Sequence, residues 1–143
     1  LAEYALLTAQ RRHEPVSLAF VDLDRFKHIN DTWGHEEGDR ALIAIADLMK
    51  AAFRESDILA RQGGDEFIIL FANTSRHDAA TAMETLSHNV ARFNQQAANP
   101  WQLAFSWGCV EYDPASHPSL NALVATADRL MYQAKQKQGR ERR

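Results

Sequence analysis

Apolar residues recur with two different periods along this chain, and the alternation between them constrains the fold most. Residues 16–23 form a nearly continuous apolar run that ends in acidic residues, which is typical of a strand buried on both faces. Residues 41–53 instead carry apolar side chains at intervals of three and four, the spacing of one face of a helix. Because strand-like and helix-like segments alternate, the sequence predicts an α/β domain.

The remaining segments repeat this alternation without an internal repeat or a linker. Further strands are predicted at residues 57–61, 66–72 and 102–112, and further helices at residues 5–12, 25–30, 78–94 and 120–137. Gly63 and Gly64 fall between the first two of these strands and predict a hairpin turn with positive φ. We expect residues 1–143 to form one domain.

Composition excludes several classes of function. The chain has 16 Lys and Arg against 19 Asp and Glu, a net charge of −3, which disfavours broad binding to nucleic-acid phosphates. The single cysteine, Cys109, cannot form an internal disulfide. No apolar run approaches the roughly 20 residues of a membrane span, so no membrane contact by the domain is predicted.

The chain begins at Leu1, without an initiator Met or the pattern of a signal peptide. We therefore expect a cytoplasmic piece of a longer regulatory protein, whose other parts would carry sensor domains or a membrane anchor.

Two clusters of acidic residues are candidates for chemistry. Asp22 and Asp24 end the first predicted strand, and Asp65 and Glu66 lie at the Gly-Gly turn. If these strands are neighbours, three or four carboxylates converge at one edge of the sheet, where they repel unless a cation neutralises them. Oxygen ligands favour Mg²⁺ or Mn²⁺ over zinc, with substrate phosphates as further ligands. The sequence therefore indicates nucleotide chemistry, although each acid pair alone is equally compatible with solvated strand ends.

Residues 63–67, Gly-Gly-Asp-Glu-Phe, resemble the signature of the GGDEF family, the diguanylate cyclases. Further motifs follow the family's order at nearly its spacing: Arg61, residues 21–27, residues 30–35, Gly38-Asp39 and residues 132–135. The resemblance implies a mixed five-stranded sheet flanked by helices, related to nucleotidyl cyclase and polymerase palm folds. It also implies that two such domains, each holding one GTP, pair as a homodimer and form cyclic di-GMP with release of two pyrophosphates.

The resemblance assigns the acidic residues to catalysis. Asp22, the backbone carbonyl of Leu23 and Asp65 would hold the Mg²⁺ or Mn²⁺ ion, with Glu66 assisting at the metal or in proton transfer. Asp65 would also be the base for the attacking hydroxyl. Asp24 is expected to turn its side chain to the opposite face and to be structural.

Basic residues and glycines are assigned to the triphosphate. Lys27, Arg61 and Lys135 would pair with phosphate oxygens. Gly63 and Gly64 would let the phosphorylated ligand approach the backbone closely.

Guanine would be recognised by Asn30 and Asp39. A carboxylate accepts from the two N–H donors of the guanine edge, which adenine does not match, while an amide donates to guanine's acceptors. His35, in the same turn, would complete the pocket; its alternative role is that of a turn residue.

Arg54 and Asp57 match the family's Arg-x-x-Asp motif, at which cyclic di-GMP binds as an inhibitor. The alternative is a surface ion pair of little energetic value. A second function also stays open, that of a non-catalytic sensor module that binds GTP or cyclic di-GMP. The tail departs from the family's closing Lys-x-x-Gly-Arg-Asn by one extra residue after Lys135, which would carry Arg140 away from phosphate and leave the last strand absent.

Overall fold

The computed structural model describes the backbone of residues 1–141 and the side chains of residues 1–139, so the side chain of Arg140 lies outside the described residues. The elements follow in the order α1 (Ala2–Arg12), β1 (Ser17–Leu23), α2 (Phe26–Trp33), α3 (His35–Ala52), β2 (Ile58–Arg61), β3 (Glu66–Phe71), α4 (Arg76–Gln96), β4 (Phe105–Glu111) and α5 (Leu120–Glu141). The predicted α/β alternation is confirmed.

The four strands form one sheet in the order β2-β3-β1-β4. All three strand pairs are antiparallel, and β1 at the centre pairs Asp22 with Glu66 of β3 and with Ser106 of β4. The expectation of a mixed sheet with five strands is therefore wrong for residues 1–141. The described chain after β4 enters a helix at Leu120 and stays helical to Glu141, which leaves no segment for a fifth strand.

Each face of the sheet is covered by helices. On one face Val21 and its odd-numbered neighbours in β1 pack with α2, α3 and α4. On the other face Leu18 and Phe20 pack with α1 and α5. Because side chains alternate along a strand, Asp22 lies on the same face as Phe20, under the C-terminal half of α5.

A glycine brings α5 close to the sheet. A Cβ at Gly108 of β4 would lie 2.3 Å from the backbone nitrogen of Met131 and 2.6 Å from the carbonyl oxygen of Ala127. Only a residue without a side chain allows that approach, so Gly108 fixes the height of α5 above the sheet.

Several helix ends differ from the predicted bounds. The helix predicted at residues 25–30 continues to Trp33, and Gly34, with φ of 93°, separates it from α3, which begins at His35. Ser75, rather than Asp78, caps α4, because the Ser75 hydroxyl accepts from the backbone N–H of Asp78 at 3.2 Å. The last helix extends beyond residue 137 to Glu141.

Among the described residues, every helix is too short or too polar to cross a lipid bilayer.

Candidate active site

The pairing of β1 with β3 and the Gly-Gly turn bring the acidic residues together at one edge of the sheet. Asp22 pairs with Glu66 across β1 and β3, which puts the two side chains on the same face. The backbone N–H of Leu23 donates to the carbonyl oxygen of Asp65 at 3.0 Å, which fixes the Gly-Gly turn against the end of β1. Asp22, Asp65 and Glu66 therefore meet, as the sequence predicts for neighbouring strands.

The surroundings of Asp65 and Glu66 raise the pKa values of both side chains. Burial, followed by the negative charge of Asp22, raises the pKa of Asp65 above its ordinary value. The two carboxyl groups are close enough that a proton on Asp65 would form a hydrogen bond with Asp22, which favours the protonated acid. Burial and then the charges of Asp22 and Asp65 also raise the pKa of Glu66. The negative charges at this edge of the sheet are therefore only partly stabilised by the surrounding protein.

Lys135 supplies part of the missing positive charge. Its Nζ donates to Oδ2 of Asp22 at 2.9 Å and lies 3.8 Å from Oδ1 of Asp24. Burial lowers the pKa of Lys135, but the hydrogen bond and charge of Asp22, with the charges of Asp24 and Asp65, outweigh it and raise the pKa overall. The ammonium group is thus held at the site predicted for the triphosphate.

Asp24 corrects one prediction. It lies on the same side as Asp22, not on the opposite face, because residues two apart in a strand share a face and both acids approach Lys135. Its carboxylate is buried and accepts a hydrogen bond from Oγ of Ser106 at 2.7 Å. Its side chain therefore connects the lysine to β4.

The acidic edge offers a divalent cation a free carboxylate oxygen, but fewer than three side-chain ligands among the described residues. Oδ1 of Asp22 is buried and has no hydrogen-bond partner among the described residues, which is the state expected of an oxygen that serves as a metal ligand. No group of three or more His, Cys, Asp or Glu side chains is arranged to hold a metal within the described part of the chain. Two carboxylates, completed by a backbone carbonyl and substrate phosphates, are the ligand set that Mg²⁺ commonly uses.

Glu66 has a different surrounding from the other two acids. A Cβ at Gly63 would lie 2.6 Å from Oε1 of Glu66, so this side chain folds back over the turn. Its place among the metal ligands stays a prediction.

Arg61 stabilises the same turn. Its Nε donates to the carbonyl oxygen of Gly63 at 3.0 Å, and a terminal nitrogen donates to that of Gly64 at 2.6 Å. The expectation of positive φ at these glycines is wrong, since neither adopts it. Gly63 is required instead for space beneath Glu66. Arg61 holds the turn through its hydrogen bonds to the two glycine carbonyl oxygens.

The residues predicted to bind guanine lie between α2 and α3. The side chain of Asn30 rests directly on Gly38, where a Cβ would lie 1.8 Å from Asn30 Oδ1. The next residue, Asp39, is exposed, as are Lys27 and His35, and within residues 1–139 no side-chain hydrogen bond engages these three. Gly38 thus makes room for Asn30 beside Asp39.

Arg54 and Asp57 already bind each other. The guanidinium of Arg54 contacts Oδ1 of Asp57 at 3.2 Å, the carbonyl oxygen of Ala72 at 2.6 Å and the hydroxyl of Thr74 at 2.7 Å. The Asp57 side chain is 4% exposed and accepts from the backbone N–H of Ala72, whereas the Arg54 side chain is 58% exposed. The pair is more than a surface contact, because its carboxylate is buried and bonded to β3's end.

Sequence reasoning missed Ser106 and Gln138, which contact each other at 3.2 Å beside Asp24. Ser106 pairs with Asp22 across β1 and β4, a neighbour relation that only the register of the strands reveals. Nothing in the local sequence distinguishes either residue.

Comparison with known proteins identifies the family of this chain. A family model described as "Diguanylate cyclase, GGDEF domain" matches residues 2–142. The chain is 36% identical over 134 residues to the diguanylate cyclase DosC of Escherichia coli, a match that covers 94% of this chain and 29% of that protein. It therefore spans less than a third of the length of this curated relative.

Solved structures show the same fold. The active GGEEF domain of a diguanylate cyclase from Vibrio cholerae aligns with a TM-score of 0.84 at 28% identity, over 94% of this chain and 85% of that one. The GGDEF domain of DgcB from Caulobacter crescentus, in complex with c-di-GMP, aligns with a TM-score of 0.84 at 27% identity, over 94% of this chain and 80% of that one. Because the family model matches nearly the whole chain, this protein belongs to the GGDEF domain family of diguanylate cyclases.

Proposed function

We propose that this domain condenses two molecules of GTP into cyclic di-GMP, with release of two pyrophosphates. The observation that carries the proposal is the contact between Asp22 and Asp65, in which one oxygen of Asp22 is buried without a donor. Unneutralised acids this close are costly, and the cost is offset when a cation and a phosphorylated substrate bind there. The cyclase names of the relatives support the same reaction.

Asp22, the backbone carbonyl of Leu23 and Asp65 are the proposed ligands of a divalent cation, Mg²⁺ or Mn²⁺, with Glu66 beside them. When bound, the ion would neutralise charge on the transferred phosphoryl group. Lys135 and Lys27 would orient the triphosphate. Asn30 and Asp39 would orient the guanine ring.

The residues of this chain would remove the proton of the attacking 3′ hydroxyl and position the two GTP molecules. The 3′ oxygen of one GTP forms a bond to the α-phosphorus of the opposing GTP, the bond from that phosphorus to the β-phosphate oxygen breaks, and pyrophosphate leaves. The hydroxyl proton passes to the carboxylate of Asp65. Burial and the charge of Asp22 raise the pKa of Asp65 in the metal-free domain, which makes its carboxylate a better proton acceptor there. A cation bound to Asp65 would lower that pKa again.

One domain supplies half of the reaction. Asp65 and Lys135 lie at the acidic edge of the sheet. Neither residue lines the cavities of about 440 and 450 Å³, so these cavities do not enclose the acidic edge. We therefore propose that a second copy, with its own GTP, faces this edge in a homodimer. GTP is the cytoplasmic substrate, so we also assign the domain to that compartment.

Arg54 and Asp57 are proposed as the site of product inhibition. They lie beside the end of β3 that is remote from Glu66, about 20 Å away by the rise of a strand. A cavity of about 280 Å³ opens next to them. Arg54 is accessible to a guanine or phosphate, whereas Asp57 must first release the N–H of Ala72. We expect Arg54→Ala to weaken inhibition by added cyclic di-GMP, with Arg92→Ala, at an exposed arginine of α4, as control.

The test of the proposed function is formation of cyclic di-GMP from GTP and Mg²⁺ at rising protein concentration. The rate per chain should increase with concentration, because the productive encounter joins two loaded domains. Asp65→Asn should abolish product, while Asp47→Asn, an exposed acid of α3, should not. A wild-type domain that binds cyclic di-GMP but forms none of it would favour the sensor module instead.

A further inference from the structure

A chain of buried polar contacts links the end of α5 to the acidic edge. Ser106 is 1% exposed, and its Oγ lies 2.7 Å from Oδ1 of Asp24 and 3.2 Å from the amide of Gln138. A serine hydroxyl has one proton, and the carboxylate of Asp24 has none to give, so Ser106 donates to Asp24. The atom of Gln138 that faces Ser106 is Oε1, a second acceptor for the same hydroxyl proton. Both contacts are satisfied at once when the Gln138 amide is turned, so that its nitrogen faces Ser106 and donates to it.

This contact lies one helical turn from Lys135. Gln138 and Lys135 are three residues apart in α5 and so occupy the same side of the helix. Lys135 contacts Asp22 and approaches Asp24, while Gln138 reaches Asp24 through Ser106. The same helical turn is thus bound twice to the end of β1.

The rest of α5 is fixed further back. Gly108 lets the backbone of Ala127 and Met131 rest on β4, one to two turns before Lys135. Beyond Met131 the contacts of Lys135 and Gln138 hold the helix over the site. Without Gln138, the ammonium group would keep only its direct contacts with Asp22 and Asp24, and the helical turn that carries it would lose its second link to the sheet.

Gln138 also stands where this sequence departs from its family's closing motif. Lys-x-x-Gly would have glycine three residues after the lysine, and this chain has Gln138 there, with Gly139 following. A glycine has no side chain with which to reach Ser106, so the contact belongs to the extra residue of this tail.

We propose that Gln138, Ser106 and Asp24 form a positioning chain that holds Lys135 at the triphosphate. The inference rests on the proposed function, since it names the residues that place one of its phosphate ligands. None of the three needs to touch the substrate.

A purely structural contact would act differently from a positioning one. Loss of helix packing lowers the unfolding temperature and reduces the fraction of competent protein, which affects all ligands alike. Displacement of Lys135 weakens a ligand that has β- and γ-phosphates and spares one that lacks them.

The experiment compares Gln138→Ala and Ser106→Ala with wild type. Gln136→Ala is the matched control, an exposed glutamine of the same helix. Binding is measured with 3′-deoxy-GTP, which lacks the attacking hydroxyl, and with GMP, which lacks the outer phosphates, both with Mg²⁺. We expect both variants to raise the Kd for 3′-deoxy-GTP about three- to tenfold, with less than a twofold change for GMP. The KM for GTP should rise in parallel, with kcat changed less.

Three results overturn the positioning chain alone. One is a wild type that binds 3′-deoxy-GTP while Gln138→Ala binds it within twofold of wild type. The second is an equal loss in Gln136→Ala, and the third is equal losses for GMP and 3′-deoxy-GTP. Gln138 is only partly buried, so its variant keeps the test valid if Ser106→Ala fails to fold. A wild type that binds no 3′-deoxy-GTP overturns the proposed function as well, which separates the two failures.

Discussion

Asp22 has one carboxylate oxygen bonded to Lys135 and the other buried without a donor. An arriving cation would satisfy the second oxygen and weaken the hold of Asp22 on the ammonium group. Lys135 would then be available to phosphate oxygens a short distance away. We therefore expect the ion pair between Asp22 and Lys135 to exist only without ligands. In the substrate complex we assign Asp22 to the cation and Lys135 to the triphosphate.

Replacing Gly38 with alanine should impair recognition of guanine. The new Cβ would overlap Oδ1 of Asn30, which must leave its place beside Asp39. Because a flexible side-chain end can move aside and alanine favours helix, folding should be preserved. We expect the preference for GTP over ATP, measured as a ratio of Kd values, to fall about tenfold.

The control for this substitution is Gly139→Ala, where the new Cβ meets nothing within 4 Å. An unchanged nucleotide preference in Gly38→Ala would contradict the assignment of Asn30.

Cys109 should make stability depend on alkaline pH. Burial raises the pKa of its thiol from 9.0 to about 11. The folded protein keeps the proton that the unfolded chain loses, so this contribution is complete below pH 9.0 and is lost as the pH rises through about 11. The loss should be about 2 to 3 kcal/mol in the free energy of unfolding.

The measurement is denaturant unfolding of wild type and Cys109→Ala across this pH range. The wild-type advantage over the variant should shrink as the pH rises. Parallel curves for the two proteins would rule out the shifted thiol.

At the scale of elements, the site is built by the hairpin of β2 and β3, from the middle of the chain, and by the helix α5, from its C-terminal part. The sequence predicts the hairpin, because two glycines separate two apolar runs, and it predicts that Asp22 and Asp65 meet if their strands are neighbours. It does not predict the contact of Lys135 with Asp22, which joins residues 113 positions apart. That contact depends on the packing of α5 on Gly108, which no local pattern encodes.

Other elements show the same limit. The sequence predicts a start of α4 at residue 78, whereas Ser75 caps the helix. Serine and aspartate are both common capping residues, so the sequence alone does not choose between Ser75 and Asp78. The expectation of positive φ fails at Gly63 because glycine also serves where only space is needed, here beneath Glu66; the structure gives no such reason for Gly64.

Replacing Gly108 with alanine should separate α5 from the sheet. The Cβ would meet backbone atoms of Ala127 and Met131, which cannot rotate away. We expect a loss of about 3 kcal/mol in unfolding free energy, the upper part of the range for overpacked cores. Chemical denaturation measures it, with Gly139→Ala as the control, and a loss below about 0.5 kcal/mol, as at an ordinary surface site, would contradict the close approach.

For the whole molecule, the acidic edge and the Arg54 cluster lie at opposite ends of the β2–β3 hairpin. Under the proposed function, the acidic edge would face a second GTP-loaded domain while the Arg54 cluster would stay accessible to product. It also explains why an isolated domain should be slow at low concentration, since the second active half must arrive by diffusion.

The account depends on Asp22 and Asp65 sharing one cation beside the triphosphate. The most direct measurement is a crystal structure of the domain with Mn²⁺ and 3′-deoxy-GTP, in which anomalous scattering locates the manganese. We predict a peak bonded to oxygens of both carboxylates, at about 2.0 to 2.3 Å as for hard divalent ions, with Lys135 turned from Asp22 to phosphate. Manganese bound by the nucleotide alone, with Lys135 still paired to Asp22, would contradict the account.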